Sequence, residues 1–218
     1  MGLSEQRLPF RLLLITDRVR FPRPTQWAEY LLSVIPNVPP QALGLWIREK
    51  DLAGNDLWRT CNQLTAELHS RGITTIISSR ADIGNACRMW GVNVGWDAPP
   101  SDRIRRSFPH LAVGRSCHPP NEIEEICGAA ADGCQYVVTS PVFPTPKPYP
   151  IQCLGLIGLE RVVKFANVPV VALGGIDGAN IRSVLRAGAG AAACMSSIWT
   201  HQDPCGAIAN LVERCLDT

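Results

Sequence analysis

Two adjacent glycines and two adjacent serines near the end of the chain have the chemistry of a phosphate site. Gly174 and Gly175 follow an apolar run and precede a predicted helix, where N–H groups without a Cβ shield attract anions. Ser196 and Ser197 end the next apolar run and would face the same pocket with hydroxyl and N–H groups. In the alternative interpretation, the two glycines only permit a tight turn.

One histidine, His118, lies just past the run Leu111–Ser116, at the end of another predicted strand. An imidazole has an unperturbed pKa of about 6.5, so it accepts and returns a proton near neutral pH and is suited to general acid/base catalysis. Alternatively, His118 only caps the following helix or holds its loop, with Pro119 shaping the turn.

Three residues at the end of an earlier run share one face of an extended strand. Because side chains alternate along a strand, Trp46, Arg48 and Lys50 point the same way. Two cations there suit an anionic ligand, and the guanidinium adds a forked hydrogen-bonding geometry. In the open alternative, Arg48 forms a structural ion pair with Glu49 or Asp51.

These candidates require a scaffold that brings the ends of separate strands together. Eight runs rich in Val, Ile and Leu predict strands at Arg11–Asp17, Ala42–Glu49, Thr74–Ser79, Val92–Trp96, Leu111–Ser116, Tyr136–Val142, Val168–Gly175 and Ala191–Ser197. Amphipathic stretches between them predict helices, such as the stripe Leu57, Cys61, Leu64 and Leu68. Eight strands in 218 residues favour an α/β fold, a single-domain (β/α)₈ TIM barrel over residues 1–218, with its site at the C-terminal strand ends.

The composition excludes several classes of protein. Hydrophobic residues make up 46% and charged residues 18%, which excludes wholesale disorder. The formal net charge is only +2, so no nucleic-acid partner is predicted, and the run Leu12–Ile15 is too short to span a membrane. Nine cysteines without a C-x-x-C pair predict free, mostly buried thiols and a cytoplasmic protein, not a zinc site.

Five motifs in order along nearly the whole chain resemble the thiamine phosphate synthase and TenI superfamily of (β/α)₈ barrels. They are Ile15–Asp17, Ile47–Leu52, Pro141–Pro146 followed by Lys147, Val171–Ile176, and Met195–Ile198. The resemblance implies a small phosphorylated heterocycle as the ligand and a phosphate site at the last two motifs. It implies that Lys147 lies in the sixth loop of the site.

Three departures from the synthase pattern concern the metal and the diphosphate. A synthase carries Gln where Trp46 stands, Asn-Asp where Ser78 and Ser79 stand, and His-x-Gly-Gln-x-Asp where Asn93–Ala98 stands. A magnesium-binding carboxylate is therefore missing, although Asp97 is a possible displaced remnant of the second ligand. These departures predict no bound metal and no efficient synthase activity.

The run Phe108–His118 resembles the TenI branch, whose corresponding histidine is implicated in thiazole tautomerisation. We therefore predict a thiazole tautomerase without a cofactor, in which His118 moves the proton. One alternative is a non-catalytic protein that binds a phosphorylated metabolite, and a second is a synthase with an altered metal site. The predicted substrate-binding residues are Trp46, Arg48, Lys50, Ser78, Trp96, Ser116 and Lys147, and the predicted phosphate-binding residues are Gly174, Gly175, Ser196 and Ser197.

Overall fold

Eight parallel strands close into a barrel in the computed structural model, which describes residues 7–21, 26–95, 97–145 and 152–218. Each strand pairs with the next along the chain, and the last pairs with the first. The strands are β1 Leu12–Ile15, β2 Leu43–Ile47, β3 Thr74–Ser78, β4 Gly91–Val94, β5 Ala112–Cys117, β6 Tyr136–Thr139, β7 Val170–Leu173 and β8 Ala191–Cys194. The predicted (β/α)₈ barrel is confirmed.

Helices connect the strands on the outside of the barrel. They are α1 Trp27–Val34, α2 Gly54–Ser70, α3 Ala81–Ala86, α4 Ser101–Ser107, α5 Glu122–Ala131, α6 Gly155–Phe165, α7 Ile181–Arg186, α8 Ser196–Trp199 and α9 Pro204–Leu216. The predicted apolar stripe of α2 is buried. At the start of α9 the Asp203 side chain accepts a hydrogen bond from the N–H of Gly206, and Pro204 takes the first helical position.

Most strands are shorter than the apolar runs that predict them. The chain leaves the sheet after β6, and the N–H of Val142 donates to the carbonyl of Leu173 from a loop. Gly174 has φ +103°, which ends the extended conformation of β7. The apolar run after β8 turns into α8 at Ser196. These runs stay apolar beyond the strands because the loops also pack onto the barrel.

The barrel interior is filled by side chains from alternate strand positions. Trp46, Ile76, Tyr136 and Val171 belong to one buried cluster inside the barrel. Gly114 makes room for Tyr136, because a Cβ there would collide with the ring. A packed interior leaves no place for a ligand along the axis, so a ligand site is expected beyond the strand ends.

A second, larger cluster lies between the strands and the helices, and it contains most of the cysteines. Six of the nine cysteines are buried, and all nine are free thiols. Burial raises the pKa of the Cys117 thiol to about 12 and that of Cys134 to about 11, so both stay protonated and pack as small apolar groups. Cys127 on α5 and Cys205 on α9 are exposed.

Among the described helices, none has the length and apolar character that crossing a bilayer requires.

Candidate functional site

The two glycines after β7 are held against the loop that follows β6. Their φ angles are +103° for Gly174 and +63° for Gly175. A Cβ on Gly174 would lie 2.7 Å from Cα of Pro141, and one on Gly175 would lie 2.7 Å from Cβ of Phe143. The N–H of Phe143 donates to the carbonyl of Gly174 at 3.0 Å. Both glycines are therefore required by the turn, which is compatible with a phosphate site and with the alternative interpretation.

The two serines of α8 have different surroundings. The Ser197 hydroxyl donates to the carbonyl of Ile176 at 2.9 Å, so it ties α8 to the loop after β7. Ser196 is half-buried and opens the helix, where the first N–H groups have no intrahelical acceptor. Asn180, which the sequence analysis missed, donates from Nδ2 to the carbonyl of Gly175 at 2.9 Å. Asn180 follows Asp177 by three residues, and Asp and Asn at such spacing often hydrogen-bond to a nearby backbone and fix a turn. This pattern could have indicated the contact.

At the end of β2, the buried Glu49 is bound by Arg18 from the loop after β1. Glu49 Oε1 accepts the N–H of Arg18 at 3.2 Å, and its Oε2 lies 3.6 Å from Arg18 Nε. Arg18 also forms an ion pair with Asp51. Because both carboxylates of the open alternative are bound to Arg18, they are not the partners of Arg48. The sequence analysis missed Arg18, although it directly follows the first strand motif.

Arg48 and Lys50 are both exposed at this strand end. The backbone N–H of Arg48 donates to the buried Thr16 hydroxyl at 3.0 Å, which holds the β2 end against the β1 end. Burial raises the pKa of Glu49, while hydrogen bonds from Thr16 and Arg18 and the Arg18 charge oppose that shift. The buried contacts of Thr16 and Glu49 therefore fix the backbone at the β2 end, and the side chains of Arg48 and Lys50 extend from it into solvent.

Trp46 lies deeper than the sequence analysis expected. Its side chain is part of the interior cluster and the residue is 4% exposed. The indole Nε1 donates to Ser78 Oγ at 2.8 Å across the β2–β3 pair. This bond gives the buried indole N–H its acceptor, and it occupies the hydroxyl of Ser78.

Asn93 and Ser116 form a second polar pair, on β4 and β5. Asn93 Nδ2 donates to Ser116 Oγ at 2.9 Å. Asn93 is 4% exposed, and its buried Oδ1 has no hydrogen-bond partner among the described residues. The sequence analysis named Asn93 only as a departure from the family pattern, not as a site residue. Its position on the inward face of β4 was the available signal.

His118 stands directly after β5, with an exposed ring. Its Nδ1 lies 2.8 Å from the carbonyl of Ser140, and its backbone N–H donates to the Glu125 carboxylate at 2.7 Å. Because a carbonyl only accepts hydrogen bonds, this contact assigns the proton of the neutral ring to Nδ1. Nε2 then carries the lone pair that a proton acceptor needs.

The described residues do not fit a magnesium site. They contain no group of three or more His, Cys, Asp or Glu side chains placed to hold a metal. The Ser78 hydroxyl is bonded to Trp46, and Asp97 is exposed beside Gly95 on the β4–α4 loop. Magnesium in proteins usually takes one or two carboxylates together with substrate phosphates, so a lone exposed Asp is a poor shell. Trp96 and Lys147, both predicted to contact substrate, lie outside the described residues.

Comparison with known families adds a decisive match at this point. The sequence profile of the family described as thiamine monophosphate synthase matches residues 12–198, from the first strand through the start of α8. The chain belongs to this family. The motifs noted at the strand ends, from Ile15–Asp17 to Met195–Ile198, fall in the matched range.

Curated relatives of this thiamine monophosphate synthase family member are named as enzymes. Thiamine-phosphate synthase of Albidiferax ferrireducens is 35% identical over 167 residues, covering 76% of this chain and 75% of that protein. The enzyme of the same name from Desulfitobacterium hafniense is 30% identical over 210 residues, covering 94% and 96%. The family to which the chain belongs is therefore enzymatic.

Solved structures agree on the barrel. Thiamine phosphate pyrophosphorylase from Pyrococcus furiosus superposes with a TM-score of 0.82 at 26% identity, covering 95% of this chain and 96% of the other. The 3-hexulose-6-phosphate synthase structure, with a TM-score of 0.64 and 17% identity, shares the fold alone.

The predicted tautomerase function is wrong. The relatives of this family member that lie at 26–35% identity are named thiamine-phosphate synthase, and the match does not select the TenI branch. The tautomerase prediction rested on the run Phe108–His118, which leads into β5 and ends just after it. A histidine at a strand end is compatible with many reactions on the same fold, so this run does not identify the reaction. The alternative of a synthase with an altered metal site fits these relatives better.

Proposed function

We propose that the chain catalyses the thiamine-phosphate synthase reaction, the condensation of an aminopyrimidine diphosphate with a thiazole phosphate and release of diphosphate. Both substrates are anions, so the reaction requires two anion sites at the barrel mouth. The proposal rests on one arrangement at the β2 end. Arg18 forms ion pairs with Glu49 and Asp51. The neighbouring Arg48 and Lys50 are exposed and can bind an anion. The second anion site is formed after β7 and β8.

The proposed roles follow from position and charge. Gly174, Gly175 and Ser196 hold the thiazole phosphate through N–H groups, and Ser197 contributes its N–H while its hydroxyl braces the loop after β7. Arg48 and Lys50, which directly follow β2, hold the diphosphate together with Lys147, whose role rests on the family resemblance.

The floor of the mouth has polar groups for a ring. The buried Asn93 Oδ1 accepts a hydrogen bond from an N–H donor of the heterocycle, and Ser116, already bonded to Asn93, lines the same floor. Trp46 and Ser78 close the floor from the β2–β3 side. His118, whose Nδ1 is bonded to the carbonyl of Ser140, has Nε2 left as an acceptor at the end of β5.

Because the described residues do not fit magnesium, charge stabilisation of the departing diphosphate rests on the cations of the chain. Arg48 and Lys50 supply two charges on exposed side chains, where water screens them. We therefore expect synthase turnover below about 1 s⁻¹, slower than ordinary enzymes.

The test is the formation of thiamine phosphate from the two substrates by the purified protein, followed by chromatography. Arg48→Ala removes a charge-assisted contact and lowers kcat/KM by about 10- to 100-fold. Arg59→Ala on α2 removes an exposed arginine away from the mouth and serves as the matched control. Absence of product at any magnesium concentration contradicts the proposal, as does an equal loss in both variants.

A second candidate is a protein that binds a phosphorylated metabolite without turning it over. The bond between Trp46 and Ser78 favours it, because this pair fills part of the mouth and narrows the space for a second ring. Titration with thiazole phosphate, followed by tryptophan fluorescence, measures binding. Saturable quenching in a sample that makes no thiamine phosphate supports this second candidate and excludes the first.

The free thiols also support a cytoplasmic location, which we include in the proposal. None of the nine cysteines forms a disulfide. Such a set persists unpaired in a reducing compartment.

A further inference from the structure

A cavity opens at the N-terminal end of the barrel, at the opposite end from the proposed active site. Its wall includes residues that lead into the strands, among them Leu8 before β1, Trp90 before β4 and Gln135 before β6. Its volume is about 240 Å³, and a second cavity of about 340 Å³ adjoins it with His110 and Leu111 in both walls. The second cavity lies within the range of about 300–1,000 Å³ that is usual for small-molecule sites, and the first lies just below it.

One wall of the first cavity is a fixed aromatic surface. The Trp90 ring lies 5.5 Å from the Tyr136 ring and 5.7 Å from the Phe10 ring, measured between centroids. Tyr136 is fully buried, and its hydroxyl donates to the carbonyl of Val92 at 3.2 Å. Because two buried rings pack against Trp90, the indole is held in place in the cavity wall, where a planar ring can stack on it.

The polar side chains that line the two cavities are arginines, one histidine and two amides: Arg7, Arg88, His110, Asn85 and Gln135. The Gln135 Oε1 accepts the N–H of Val113 at 3.1 Å, so its Nε2 is the group left to donate. Arg88 lines the second cavity and His110 lines both. Within the described part of the chain, no Asp or Glu lines either cavity. An anionic group therefore finds attraction here and no opposing carboxylate.

Arg88 occupies an unusual backbone conformation for its residue type. It follows α3 with φ +54°, and its N–H donates to the carbonyl of Asn85 at 3.1 Å. Glycine is the residue that usually ends a helix in this left-handed conformation. The arginine brings a guanidinium to the cavity wall that glycine would not supply.

We propose that the N-terminal cavity binds a small planar anion, an aromatic ring with one phosphate or carboxylate group, at a site separate from the barrel mouth. The ring stacks on Trp90, and the anionic group meets Arg88, His110 and the Gln135 amide. This proposal is independent of the reaction at the other end of the barrel.

The methionines make the two ends of the barrel distinguishable. The chain has three, and Met89 lines the second cavity whereas Met195 directly precedes α8 at the opposite end. Protein labelled with ¹³C at the methionine methyl groups is titrated with phenyl phosphate, with benzoate and with inorganic phosphate, and followed by NMR. We expect a saturable shift of the Met89 signal with both ring-bearing anions, and a weaker one with inorganic phosphate.

Phosphate binding at the mouth moves the Met195 signal and reports on the proposed active site. A titration in which Met195 responds and Met89 does not overturns the cavity proposal and leaves the proposed function standing. A Met89 response without any Met195 response supports the cavity site and counts against a phosphate site at the mouth.

Two variants test the cationic wall. Arg88→Gly suits the backbone conformation and removes the guanidinium, so it weakens phenyl phosphate binding at Met89 by about tenfold, the effect of one lost charge contact. Trp90→Phe, with a smaller stacking surface, weakens it as well. Arg59→Ala is the control and leaves affinity unchanged. Unaltered affinity in both cavity variants, with thermal melts that confirm folding, overturns the proposal.

Discussion

The ends of β2 and β3 lie side by side at the barrel mouth and are built in opposite ways. At the β2 end, the buried Glu49 binds Arg18, so the neighbouring Arg48 and Lys50 are left as exposed charges. At the β3 end, the Ser78 hydroxyl is bonded to the Trp46 indole, and no carboxylate is present. The proposed anion site therefore uses the β2 end, whereas the described residues at the β3 end do not fit a metal.

The largest effect is expected where the β2 scaffold is broken. Glu49→Ala removes a buried carboxylate, leaves the Arg18 N–H and the Thr16 hydroxyl without their acceptor, and leaves the Arg18 guanidinium with Asp51 alone. Removing one partner of a buried pair costs about 3 kcal/mol or more of unfolding free energy. Urea denaturation measures it. The exposed Asp51→Ala is the control and costs less than about 1 kcal/mol. Equal losses would show that Glu49 has no special structural role.

A similar but smaller loss is expected at the phosphate loop. Gly174→Ala places a Cβ 2.7 Å from Pro141 Cα in a backbone with φ +103°. Strain and overpacking each cost about 1–3 kcal/mol, so we expect a loss of about 2–3 kcal/mol and weaker binding of thiazole phosphate. Gly128→Ala is the control, because a Cβ there meets nothing within 4 Å. Retained stability and affinity would argue against the tight approach of the two loops.

On the β3 side, the prediction concerns the hydrogen bond between Trp46 and Ser78. Ser78→Ala leaves the indole N–H of Trp46 buried without an acceptor, which costs about 1–2 kcal/mol. The exposed Ser70→Ala, which removes a bond to a helix carbonyl, costs less than about 0.5 kcal/mol. Thermal unfolding monitored by near-UV circular dichroism detects both the stability and the indole environment. No difference between the two variants would mean that the Trp46 contact is dispensable.

The smallest effect is a pH dependence. Burial raises the pKa of Glu49 in the folded protein above its unfolded value of 4.5, so the folded state holds this proton more tightly. The resulting stability is fully present below pH 4.5 and is lost as the pH rises through the folded pKa. Glu49→Gln keeps a hydrogen-bonding side chain and removes the titration. The unfolding free energies of the parent and of Glu49→Gln are measured between pH 4 and 7, a window of about three units. Their difference isolates the pH dependence that is due to Glu49. A difference that grows with pH would contradict the burial argument.

Much of the architecture follows from the sequence alone. Local runs of Val, Ile and Leu predict the eight strands, and the spacing of apolar residues predicts the buried face of α2. Asp203 and Pro204 mark the start of α9. These signals can be read from the sequence because they arise between residues that are close in the chain. The strand ends, and with them Arg48, His118 and Gly174, were also placed from the sequence, because parallel strands expose their C-terminal ends on one side.

Only the tertiary structure decided how those strand ends are connected. The contacts Arg18–Glu49 and Trp46–Ser78 join residues 31 and 32 positions apart, and Ser197 reaches Ile176 over 21 positions. Residue type does not specify such pairs, since Arg48 was an equally good partner for Glu49 by charge. Strand register and burial select among the possible partners: they bring the loop after β1 onto Glu49 and turn Trp46 into the barrel interior. The sequence therefore determined where the candidate site lies, and the packing of neighbouring strands decided which of its charged side chains stay exposed.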